Sequence, residues 1–206
     1  MKLILVRHGD TATDDSGKCY GATDIDLSEK GQQQALALQQ SFAEIKIDAI
    51  YSGTLKRGVK TANTIAGVHG VTVVKAPELN EVNFGLIEGL TFNDARLQFP
   101  DVAESWQLGS QDLCFPDGES FHELYDRTLK FLERLKGHQS DETVMVVGHG
   151  GPLRIMVCHL LGVSVSHHWQ FTMSRSSVSA LSIYPNGSVL EKLNDMAHWK
   201  YFEDKK

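Results

Sequence analysis

Two histidines, His8 and His149, each close a short apolar run and each stand beside glycine, in "LVRHGD" (5–10) and "VVGHGG" (146–151). Arg7 precedes the first. A second arginine, Arg57, lies in "YSGTLKRGVKTA", and "ELNEVNFGLIEG" supplies Glu78, Glu81 and Glu88. Two guanidiniums with five donors each match a tetrahedral oxyanion, phosphate above all. The imidazoles add donors, or His8 presents a lone pair as a nucleophile toward phosphorus. Arginine keeps its proton at neutral pH, so a departing alkoxide must be protonated by another group. Glu81 can do this, with Glu78, Glu88 and Asp10 as the other nearby carboxylates. Gly9 and Gly150 leave room for a substrate to approach the backbone. The chemistry these types point to is phosphoryl transfer through a phosphohistidine.

Such chemistry requires distant segments to meet. The run 3–6 is short, continuous and apolar, as a strand buried on both faces should be. The stretch 10–26, rich in Gly, Thr and Asp, reads as a loop. Ser28 can cap a helix whose inner face carries Ala35, Leu38, Phe42 and Ile45. A strand is expected at 49–52, a helix at 54–66 and a third strand at 71–74. This alternation predicts an α/β sheet. The middle, 83–117, is broken by Gly85, Gly89, Pro100 and Pro116. It reads as loops plus one short helix near Thr91, a cap laid over the sheet. Ser120 opens an amphipathic helix carrying Phe121, Leu124, Tyr125, Thr128, Leu132 and Leu135, with Gly137 at its stop. A strand at 143–147, a helix from Pro152 to about Leu161 and a hairpin turning at Asn186-Gly187 follow. The tail from Ala197 reads as surface. In open parallel sheets ligands bind outside the carboxyl ends of the strands. Parallel strands would bring His8 and His149 to one such edge, with Arg57 and the three glutamates in reach.

Bulk properties narrow the classes. The 206 residues fit one domain, 1–206, with the cap at about 83–117. The chain is 41% hydrophobic and 22% charged with net charge −6, which argues against nucleic acid or an anionic membrane as partner. Cys19, Cys114 and Cys158 are odd in number, widely spaced and without a C-x-x-C, so a disulfide framework is not expected and a cytoplasmic location is. No run approaches the roughly 18 apolar residues of a membrane span.

Six ordered blocks, "RHGDT", "GATDIDLSEKGQQQA", "SGTLKRGVKTA", "ELNEVNFGLIEG", "FPDGESF" and "VVGHGGPLR", cover nearly the whole chain. Together they resemble the histidine phosphatase superfamily, in its phosphoglycerate-mutase-like branch. The resemblance implies a three-layer α/β/α sandwich with a mostly parallel central sheet. It implies that His8 is phosphorylated, that Arg7, Arg57 and His149 complete the phosphate pocket, and that Glu81 donates the proton, with Glu88 as a stand-in. Thr11 and Thr23 lie where family members contact phosphate or substrate. No metal and no organic cofactor is implied. Two positions depart from the pattern: Asp14 stands where many members carry Asn, and Ile87 where Trp often precedes "EG". A carboxylate is a poor phosphate neighbour, so Asp14 is set aside. Within the family the chain is most similar to small phosphatases of cobalamin biosynthesis acting on α-ribazole 5′-phosphate.

The expected function is therefore phosphomonoester hydrolysis on a small phosphorylated metabolite. The alternatives are mutase-type phosphoryl return to a phosphoglycerate, a broad sugar or nucleotide phosphatase, and a non-catalytic phosphoprotein-binding module. The last should have lost His8 or its partners. His159, His167 and His168 fit no common zinc spacing and read as surface or helix-end positions. The glutamines at 32–34 read as the solvated side of a helix. The sequence assigns no oligomeric state.

Overall fold

The computed structural model describes residues 1–13 and 17–203, so Asp14 lies outside the described residues. Six strands form one sheet: β1 (Lys2–Arg7), β2 (Ala49–Ser52), β3 (Val73–Lys75), β4 (Thr143–Gly148), β5 (Val178–Tyr184) and β6 (Gly187–Asp195). Their order is β3-β2-β4-β1-β5-β6. The first four are mutually parallel, and β5 and β6 add on antiparallel, so the sheet is mixed with a parallel majority.

Alternation along the central strands explains the layers. Leu3, Leu5, Val144 and Val146 face a core shared with Phe131 and Leu132 of α5 (Phe121–Leu135) and Met156 of α6 (Gly150–Leu161). Ile4, Val6, Met145 and Val147 face the opposite core, shared with Leu38 and Phe42 of α1 (Glu29–Phe42) and Ile65 of α2 (Lys56–Ala66). Burying one such aliphatic side chain is worth roughly 2 kcal/mol. With no polar face on β1 or β4, both strands must lie mid-sheet under helices, which is the α/β/α sandwich expected.

A third apolar cluster lies in the middle segment. It joins Val82, Ile87, Leu113 and Phe115 to Phe121 and Leu124 of α5 and Ile155 of α6. Two helices form there, α3 (Phe92–Gln98) and α4 (Pro100–Gln107), where one was expected. Thr91 and Asp94 make a reciprocal capping box for α3. Pro100 breaks α3 but opens α4, because a first-turn residue needs no backbone N–H.

Three further expectations are corrected. Helix α1 ends at Phe42, leaving Ile45 outside it and 41% exposed. Strand β3 is three residues at a sheet edge, its extent set by pairing with Ile50 to Ser52 rather than by its own apolar run. The hairpin pairs Tyr184 with Gly187, so its turn is Pro185-Asn186, one residue earlier than expected; proline's fixed φ suits the first turn position. The tail lies at the surface as expected, where it forms a helix, α7 (Ala197–Glu203), that packs on α1, and the His198 imidazole hydrogen-bonds the Ser176 hydroxyl at 3.0 Å. Among the described residues no helix is long and apolar enough to cross a membrane.

Candidate active site

Strands β1 and β4 are parallel neighbours with Arg7 opposite Gly148, so His8 and His149 leave the sheet side by side. The His8 N–H donates to the Gly148 carbonyl at 3.1 Å, and the two ring centroids are 4.9 Å apart. On the other flank of β4, Ser52 of β2 pairs with Val147, and the chain turns into α2 carrying Arg57. From β3 a 3₁₀ turn, Pro77–Leu79, leads to Glu81. Four strand ends thus deliver two arginines, two histidines and a carboxylate to one edge, around a pocket of about 250 Å³ that Arg7, His8, Arg57 and Glu81 line.

The tautomer of His8 follows from one contact. Its Nδ1 is 2.7 Å from the Gly9 carbonyl oxygen. A carbonyl only accepts, so Nδ1 carries the hydrogen and Nε2 keeps its lone pair. Burial pushes the His8 pKa well below 6.5, helped by the charges of Arg7 and Arg57. His149 is likewise held well below 6.5 by burial first, then by His8 and the two arginines. Both rings are therefore neutral at neutral pH.

The arginines differ in how they are held. Arg7 donates from Nη1 to the Met173 carbonyl at 2.6 Å, and burial lowers its pKa to about 10, with Glu81 opposing. It stays cationic at neutral pH. Arg57, 2% exposed, donates to the carbonyls of Thr23 (2.8 Å) and Gly21 (2.7 Å). Among the described residues, Arg7 Nε and both His149 nitrogens are buried without a protein partner. Buried polar atoms left unpaired in the protein are costly, unless a ligand meets them.

The carboxylates separate cleanly. Among the described residues lining the pocket, Glu81 is the acidic one. Its Oε1 accepts from the backbone N–H of Gly151 at 3.0 Å and of Val82 at 3.1 Å. A Cβ on Gly151 would stand 2.5 Å from that oxygen, so Gly151 must be glycine for Glu81 to lie there. Glu78 pairs with Arg134. Asp10 is bound by Arg175 and Lys30; burial raises its pKa, but the Arg175 hydrogen bond and both charges outweigh that and hold it below the usual carboxylate range. Glu88 accepts from the backbone N–H groups of Gly21, Ala22, Thr23 and Phe84, which makes it the clamp of the loop under Arg57.

Several expected positions land elsewhere. The Thr23 hydroxyl donates to Glu88 at 2.5 Å, and Thr23 serves the pocket through its carbonyl on Arg57. Thr11 lines the pocket, its Oγ1 3.4 Å from that of Thr13. Gly150 lines it too: a Cβ there would sit 3.6 Å from Glu81 Oε2 and 3.7 Å from Arg7 Cζ. Gly9 does not open a path for substrate; a Cβ there would lie 2.6 Å from the Gly31 carbonyl, so it lets the loop pack on α1. Gln34 is buried, accepting from the Asp10 N–H at 2.8 Å, rather than solvated. His168 stands in the last turn of a 3₁₀ helix, Val165–Gln170, as a helix-end position, and from there also lines the pocket. Arg154, Arg175 and Gly151 were not singled out from the sequence, yet all three line the pocket. Arg154 and Gly151 stand within the "HGGPLR" block, where helical spacing from Gly150 places Arg154 one turn on, over the same edge.

A model of the histidine phosphatase superfamily (branch 1) matches residues 3–196. Phosphoserine phosphatase 1 of Hydrogenobacter thermophilus is 35% identical over 96% of this chain and 94% of its own. The crystal structure of the alpha-ribazole phosphatase from Shigella flexneri superposes with TM-score 0.87 at 27% identity, over 95% of this chain and 96% of that one. A phosphoserine phosphatase mutant from Entamoeba histolytica, solved in complex with phosphoserine, gives 0.82 at 29% identity over 96% and 98%. Matched along nearly its whole length and in its fold, the chain belongs to branch 1 of the histidine phosphatase superfamily and is a phosphatase.

Proposed function

We propose that this phosphatase hydrolyses small phosphate monoesters through a phosphohistidine at His8. The observation that carries the reading is the Nδ1–H of His8 on the Gly9 carbonyl, which leaves Nε2 as a neutral lone pair beside Arg7, Arg57 and His149. Those three bind the non-bridging phosphate oxygens and offset the charge of the transferring group. His8 Nε2 forms the bond to phosphorus as the ester P–O bond breaks in line. Glu81 gives its proton to the departing oxygen. Water then attacks the phosphoenzyme, Glu81 takes the water proton, and the Nε2–P bond breaks to release inorganic phosphate. Thr11 and Gly150 flank the bound ester, and 83–117 acts as a cap over it within a single domain. His8→Ala should abolish turnover; hydrolysis of p-nitrophenyl phosphate by that variant at near the parent rate would rule the mechanism out.

Two features of the pocket bear on the alcohol half. Arg154 and Arg175 line it beyond the phosphate set and lower the Arg7 pKa through space; Arg175 is paired with Asp10, so Arg154 is the added positive charge. That favours an ester with a second anionic group near the phosphate, as in phosphoserine, which the similarity to phosphoserine phosphatases also supports. Part of the lining is aromatic: Phe84, Trp106 and Phe115 pack with centroids 5.0–5.2 Å apart. These rings would suit the flat base of α-ribazole 5′-phosphate. Comparing kcat/KM on the two esters decides between them, with phosphoserine expected to lead.

A further inference from the structure

Glu81 stands on a stretch with little regular structure of its own. After the Pro77–Leu79 turn, residues 80–84 belong to no helix or strand. An acid on such a stretch needs outside support to keep its geometry, since a displacement of about 1 Å can cost on the order of a hundredfold in rate. Arg127 of α5 supplies that support. Its Nη1 donates to the carbonyls of Glu78 (2.7 Å) and Asn80 (2.6 Å), and its Nη2 to that of Glu81 (3.1 Å). The same guanidinium grips the Glu119 carboxylate at 2.5 and 2.9 Å. Glu119 in turn accepts from the Asn83 N–H at 3.3 Å and donates its own backbone N–H to the Asn83 carbonyl at 2.9 Å. One ion pair therefore ties down positions 78, 80, 81 and 83. Its side chains are 20% and 15% exposed.

We infer that Arg127, braced by Glu119, is a positioning residue for proton transfer by Glu81. Arg127 is absent from the lining of the phosphate pocket and borders a shallower depression that Asn80, Asn83 and Glu119 also line. It holds the backbone of Glu81 from a depression that Glu81 also borders, and its charge reaches His149 through space. Lysine cannot replace it, because a single ammonium lacks the planar fork that reaches three carbonyls and a carboxylate together. The inference rests on the reading of Glu81 as proton donor.

The test uses two esters that differ in one group, p-nitrophenyl phosphate and phenyl phosphate. Nitrophenolate is the weaker base and leaves with little help from an acid, whereas phenolate needs the proton. In Arg127→Met the ratio of kcat/KM for the nitrophenyl ester over the phenyl ester should rise about tenfold, as it should in Glu81→Gln. Arg127→Lys should not restore it, and Arg127→Met placed on Glu81→Gln should add nothing further. A merely structural role would lower both esters together and leave the ratio alone. A ratio raised by Glu81→Gln but unmoved by Arg127→Met overturns the inference and leaves the proton donor standing. A ratio unmoved by both overturns the proton donor and the inference with it. Glu119→Gln, which keeps side-chain shape, is read the same way should Arg127→Met not fold.

Discussion

The imidazoles of His8 and His149 face each other with centroids 4.9 Å apart and planes inclined by 54°. Burial, then neighbouring positive charge, depresses both pKa values well below 6.5. The unfolded chain titrates these groups near 6.5. Just below that pH it binds protons that the folded protein refuses, so stability rises with pH there. Their contribution is complete above about 6.5 and is lost as pH falls toward the folded-state values. Urea unfolding should show a slope approaching about 1.4 kcal/mol per pH unit for each histidine. His149→Asn should make that slope shallower; an unchanged slope would mean that His149 does not titrate this way.

Gly151→Ala should fold normally and lose activity. The new methyl meets Glu81 Oε1 at 2.5 Å, the far end of a side chain that can swing aside at small energetic expense. Swinging aside removes the acid from its bond to the Gly151 N–H. A melting temperature within a few degrees of the parent with kcat reduced at least about tenfold is expected. Full activity on an alkyl phosphate would contradict the placement of Glu81.

Arg57→Lys should weaken both binding and the fold. Arg57 is buried and its two Nη groups hold the carbonyls of Thr23 and Gly21. A lysine can satisfy one of them, leaving the other carbonyl unpaired at about 1–3 kcal/mol. Urea midpoints should fall accordingly, and competitive inhibition by inorganic phosphate should weaken. Phosphate inhibition equal to the parent's would remove Arg57 from the anion site.

Vanadate adopts the five-coordinate geometry of the transferring phosphoryl group and should inhibit at about micromolar concentration, since mimics of a transition state bind more tightly than substrates. Steady-state inhibition measures this, and indifference to millimolar vanadate would count against in-line attack by His8.

What could be read from the sequence was what neighbours in the chain decide. Strands β1 and β4 announce themselves because both their faces are apolar, and α5 because Ser120 stands ahead of a periodic apolar stripe. Arg7, His8, Arg57 and His149 meet because parallel pairing alone carries them to one edge. Contacts between distant segments were not legible. Nothing near Thr23 signals that its hydroxyl goes to Glu88, or near Gly9 that Gly31 lies against it. Among four carboxylates, Glu81 is distinguished by its bond to the Gly151 N–H, seventy residues away. Arg175 reaches the pocket from beyond α6 and was invisible for the same reason. The α7 helix and the short β3 depend on the surfaces they meet, α1 and β2, more than on their own composition.

The measurement that bears most directly on the mechanism is trapping the phosphoenzyme. Brief mixing with a ³²P-labelled ester, denaturation in alkali and peptide mapping should find label on His8, stable to base and labile to acid, and absent from His8→Ala. Label on another residue, or undiminished turnover without His8, would contradict it.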